Sequence, residues 1–140
     1  GIRKGQIETE VARIEFLGGD AGAALEGVDA ALDLIKAEAE AEAERLSAMG
    51  VVQEPNPAPA IDAYLWRAEI LIEQDDPASA AEAYGAALAL DATMSDIYVQ
   101  RGLLYEQLGQ TDKAKADFTS ALTYIPDYAP ALDALDRLER

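Results

Sequence analysis

The sequence predicts an all-α fold of stacked antiparallel helix hairpins, and composition, punctuation and an internal repeat all point that way. Half of the 140 residues are hydrophobic, but 29 of them are alanine and only three are Phe or Trp. Small side chains and strong helix formers suit closely packed helices better than sheets. Glycines and prolines then cut the chain into pieces of helical length. Finally, residues 61–94 lie over 95–128 as a gapless 34-residue repeat.

Each element follows in order. Ile7, Val11 and Ile14 recur at helical spacing over 6–17, and Gly18-Gly19-Asp20 interrupts them. The pattern resumes at Ala21 and runs to about Ala48, with Leu25, Val28, Leu32 and Ile35 as its apolar stripe. The stretch 50–60 holds Pro55, Pro57 and Pro59, which disfavour a helix and predict an extended linker. Four helices are expected over 61–74, 77–90, 96–108 and 112–124, and a last one from about Tyr128 to the C-terminus. Asp76 before Pro77 reads as an N-cap with a first-turn proline, and Ser95 and Thr111 are expected as further N-caps. Gly109 supplies a left-handed stop and Pro126 ends the fourth of these helices.

Only six pairs are identical between the two repeats, but their placement is what a two-helix unit needs. Ala68/Gly102, Ala80/Ala114 and Ala87/Ala121 are small and let the two helices approach. Tyr64/Tyr98, Leu71/Tyr105 and Tyr84/Phe118 are large and fill the space between.

This pattern resembles the tetratricopeptide repeat family. Tyr98, Gly102, Tyr105, Gly109, Ala114, Phe118, Ala121 and Pro126 match its signature, whereas Ala92 stands where the 61–94 unit would carry the proline. The resemblance implies a right-handed α-solenoid. Its organisation here would be a repeat-like hairpin over 1–49 with a long second helix, the 50–60 linker, units 61–94 and 95–128, and a capping helix over 129–140. In the hairpin, Ala12, Ala24, Val28 and Ala31 keep the register, while Glu8 and Glu15 replace the expected large residues.

In that family the first helix of each hairpin lines a concave groove for a partner peptide or helix. Residue by residue, the groove would be lined here by Asp62, Leu65, Trp66, Glu69, Ile72 and Glu73, then Asp96, Val99, Gln100, Leu103, Glu106 and Gln107. That is an apolar floor with acidic flanks, suited to an amphipathic segment carrying Lys or Arg. The same apolar residues have a second reading, as packing between repeats. Trp66 reads either as an interface anchor or as a wedge against the preceding hairpin. Arg67 and Arg101 are expected to pair with neighbouring acids. The family's carboxylate clamp would fall on Thr9, Arg13, Trp66, Asp96 and Gln100, or on Leu65, Glu69, Gln100, Pro130 and Ala134 in the alternative register. Neither set can hold a C-terminal carboxylate.

Charge and composition bound the function. With 27 acidic against 11 basic residues the net charge is −16, which argues against nucleic acid and anionic membrane surfaces. Cysteine and histidine are absent, so thiol and histidine-based nucleophile systems and Cys/His zinc sites are excluded. No apolar run reaches the ~18–20 residues of a membrane span. Acid pairs such as Asp75-Asp76 and Asp133/Asp136 are too abundant to single out a catalytic pair. The Ala37–Glu44 alternation is expected as a solvated helical extension, or else a dock for a basic partner.

The expected function is therefore a non-catalytic scaffold without cofactor or metal that binds a protein or peptide. The alternative is a self-associating protein, with the 21–48 helix as a homodimer face or a lid on the groove. Small helical chaperones of bacterial secretion systems resemble that arrangement in architecture. Gly1 is no initiator methionine, so a processed or excised chain is expected. The sequence leaves the compartment open, with the cytoplasm slightly favoured over a periplasmic or exported location reached by loss of a signal peptide.

Overall fold

The computed structural model describes residues 4–140, and within them every regular element is an α-helix. The helices are α1 (Lys4–Leu17), α2 (Ala21–Ala48), α3 (Ala58–Glu73), α4 (Pro77–Leu90), α5 (Ser95–Gln107), α6 (Thr111–Tyr124) and α7 (Ala129–Leu138). They pack as hairpins α1/α2, α3/α4 and α5/α6, each stacked on the next through α2 against α3 and α4 against α5. α7 closes the series on α6, and α1 also touches α3.

The turns follow from their residues. Gly19, Gly50 and Gly109 all have positive φ, a conformation that costs a residue without a Cβ little. Asp20 and Asp76 each accept from the backbone N–H three residues on, at 3.0 and 3.2 Å, so the first donors of α2 and α4 are satisfied. Ser95 and Thr111 do not act as caps. Met94 and Gln110 take those positions, and Ser95 instead donates its hydroxyl to the Ala121 carbonyl at 2.7 Å, tying α5 to α6. The extended segment is shorter than expected. Pro57 is the N-cap of α3 and Pro59 lies in its first turn, where a missing N–H costs nothing.

Small-over-large packing holds the two repeats together. Tyr84 seals a core with Ala68, Leu71, Ala80 and Leu88, and Phe118 seals another with Val99, Ala114 and Ala121. A Cβ on Gly102 would come within 2.6 Å of the Phe118 ring, so that glycine admits the ring. The α1/α2 hairpin is built differently. It buries Gly5, Thr9 and Ala12 against Ala24, Val28, Ala31 and Ile35. A Cβ on Gly5 would lie 2.9 Å from the Ile35 backbone nitrogen, and one on Gly27 3.1 Å from the Ala12 Cβ. This close approach leaves no room for the large residues that Glu8 and Glu15 replace. It also turns Ile7, Val11 and Ile14 away from the core, to solvent.

Candidate functional site

The expected groove residues come from α3 and α5, the first helices of the two repeats. Ile72 and Leu103 lie open on the surface, at 40 and 39 % exposure, and Leu65 is half-buried against the Tyr84 core. Val99 does not belong to an apolar floor. At 5 % exposure it is core, packed with Phe118, Ala131 and Ala134, because α7 covers the part of α5 from which it projects. Trp66 is the wedge of the two readings. Its ring meets Phe16 of α1 edge-on at 6.0 Å, with the Arg13 guanidinium 5.3 Å from its centre. These contacts tie α3 to the first hairpin rather than leaving a free anchor.

The acidic flanks are uneven. Glu106 is held by a bidentate pair with Arg137 of α7 at 2.6 and 2.7 Å, whose hydrogen bonds hold its carboxyl below the usual range. Asp62, Glu69, Glu73 and Asp96 form no ion pair among the described residues. Glu69 and Asp96 both act on Tyr84, whose hydroxyl is pushed up to about 12, chiefly by burial and then by these two charges. Partial burial, with Glu10 nearby, raises the Asp62 carboxyl, and Arg13 offsets only part of this. Gln100 and Gln107 are exposed on α5.

Residues of α1 extend this surface beyond the groove expected from α3 and α5. Gln6, Thr9 and Glu10 join Asn56, Ala58, Pro59 and Asp62 around a shallow depression of about 380 Å³. The direct approach of α1 to α3 creates it, and single-helix periodicity carries no signal of that approach. Arg67 and Arg101 both pair with acids. Arg67 reaches back to Asp29 of α2 at 2.7 Å, and Arg101 grips buried Asp117 at 2.7 and 2.8 Å between Tyr98 and Tyr105. α2 packs on α1 and α3 as the second helix of its own hairpin and does not lie over α5 as a lid. Its Ala37–Glu44 stretch continues as helix, with Glu42 pairing Arg45 and Glu38 accepting the Gly5 N–H.

Among the described residues no three Asp or Glu side chains gather as a metal site, and no helix is long and apolar enough to cross a membrane.

Residues 61–94 and 95–128 each match the tetratricopeptide repeat family model. The chain is a tetratricopeptide repeat protein, an all-α solenoid of the kind used as a protein-interaction scaffold. Among solved structures it is similar to the TPR domain of Arabidopsis OM64, with 22% identity, TM-score 0.69, and 96% of this chain and 93% of that one covered. It is also similar to the first TPR domain of Spaghetti (RPAP3), bound to the HSP90 peptide SRMEEVD, at 18% identity and TM-score 0.68 over 97% and 93% of the two chains. A third is YrrB, described as a TPR protein with an unusual peptide-binding site, at 16% identity and TM-score 0.69 over 97% of this chain and 59% of that one. A search of the curated proteins finds no match to the sequence.

Proposed function

We propose that this protein is a non-catalytic scaffold whose α1–α3–α5 face binds a protein segment carrying an apolar stripe and Lys or Arg residues. One observation carries the reading. Asp62, Glu69, Glu73 and Asp96 form no salt bridge among the described residues, and they share α3 and α5 with Ile72 and Leu103, which stand open on the surface. Acids left unpaired beside exposed aliphatic side chains suit a ligand that brings both complements. Peptide binding by solved relatives supports the ligand class but not its sequence. The SRMEEVD peptide carries two glutamates and a terminal carboxylate, and Thr9, Arg13, Trp66, Asp96 and Gln100 offer no clamp for it. We expect no binding of that peptide here.

The test is calorimetric titration with a Lys-rich amphipathic peptide. The double variant Ile72→Glu/Leu103→Glu should weaken binding by about tenfold or more, and higher salt should weaken it further. Equal affinity in wild type and the double variant refutes the groove.

A further inference from the structure

α1 turns Ile7, Val11 and Ile14 to solvent, at 48, 44 and 66 % exposure. Their register explains what such a face is for. With Ala12 laid over Ala68 and Gly102, Ile7 falls on Ala63 and Ile97, Val11 on Arg67 and Arg101, and Ile14 on Ile70 and Leu104. Ala63 and Ile70 are buried with Val28 and Ile35 of the preceding hairpin, and Ile97 and Leu104 with Tyr84 and Leu88 of theirs. Arg67 reaches across the same junction to Asp29 of α2. At both inner junctions, then, these positions receive the second helix of the hairpin before. The other end of the solenoid is different. α7 carries Asp136 and Glu139 where the repeat has Gly102 and Tyr105, so acids close it.

We propose that this face of α1 is a stacking socket for an amphipathic α-helix of a partner protein, seated as α2 seats on α3 and edged with Lys or Arg. Continuity with the two inner junctions specifies a helix rather than an extended peptide. Val11 in place of Arg67 and Arg101 means that the middle of the socket takes an apolar residue, not a carboxylate such as Asp29. Glu8, Glu10 and Glu15 border the stripe. Of the nearby cations, Lys4 lies on the same helix and Arg13 is turned to Trp66 and Glu10. Acidic borders favour basic edges on the occupant, and they repel a second copy that carries the same borders and the same −16 net charge.

The probe is a synthetic peptide of residues 76–92, which keeps the α4 stacking residues Ala81, Tyr84 and Leu88 and carries Glu82→Lys and Ala89→Lys along one edge of that face and Ala80→Lys and Ala87→Lys along the other. Added to the ¹⁵N-labelled full chain, it should shift the amides of Ile7, Val11 and Ile14 saturably. Ile14→Glu should weaken binding about tenfold or more, with Val11→Lys as a second variant, both checked for unchanged circular dichroism. Raising salt from about 50 to about 500 mM should weaken it too. The groove variant Ile72→Glu/Leu103→Glu should bind the probe as wild type does, so this socket and the groove fail separately. The proposal is overturned by an absence of shifts at about 2 mM peptide, or by shifts confined to α3 and α5. It is equally overturned if the α1 amides shift with protein concentration alone, which would make a second copy the occupant.

Discussion

The first hairpin and the two repeats after it bring antiparallel helices together by opposite means. In the repeats, a ring enters the space that a small residue leaves open, Tyr84 beside Ala68 and Phe118 beside Gly102. In the first hairpin a glycine meets Ile35 at Gly5, Gly27 meets Ala12, and no fully buried ring lies between the two helices. What the three share is the position of the small residues, Ala12, Ala24 and Ala31 matching Ala68, Ala80 and Ala87. The small positions set the helix approach, and the large ones are dispensable where the backbones come closer. The ends follow the same contrast, since close packing on one side of α1 leaves its aliphatic residues on the other.

The largest break of this comparison should come from the rings. Phe118→Ala empties a fully buried site and should cost about 3–5 kcal/mol in denaturant titration. Val28→Ala, at the matching position of the first hairpin, removes only two methyl groups and should cost about 2 kcal/mol. Equal losses would mean that both hairpins depend on bulk alike.

Next comes the close approach itself. Gly5→Ala sets a Cβ against the Ile35 backbone, which cannot rotate away, and should cost about 1–3 kcal/mol. Because solenoid stability is roughly a sum of units and junctions, the loss should fall mainly on amide-exchange protection in α1 and α2. Uniform loss across all helices would contradict units that differ in packing.

The smallest effect concerns the Arg137–Glu106 tether of α7. Arg137 holds the Glu106 carboxyl below its ordinary value of 4.5. The tether therefore contributes stability above that value and loses it as pH falls through the lower folded-state value. Arg137→Ala should lower the Tm by about 2–3 °C near pH 7, and the gap to wild type should close on acidification. A gap independent of pH would assign α7's hold to its apolar contacts alone.

Much of the fold was legible because its signals are local. Asp76-Pro77, Gly19-Asp20 and Gly109 act through their own backbone, so a reading of neighbours suffices. Ser95 failed as a cap because Ala121, distant in sequence, offered its hydroxyl a better partner. Pro59 failed as a helix breaker because a first turn tolerates it. The candidate groove was legible only in part. Periodicity places Val99 and Ile72 on α3–α5 faces, but which face a neighbouring helix covers depends on α7 and on the tilt of the junctions.

By itself the sequence determined the helices, the 34-residue register, the small positions and the charge, since these follow from propensity, spacing and count. Only the tertiary structure decided the direction of each helix. Hydropathy alone would have α1 bury Ile7, Val11 and Ile14. Packing buries Gly5, Thr9 and Ala12 instead, because only that face lets the backbones of α1 and α2 approach. The same decision tied Trp66 to Phe16, sank Val99 beneath α7 and left an apolar face at one end of the solenoid.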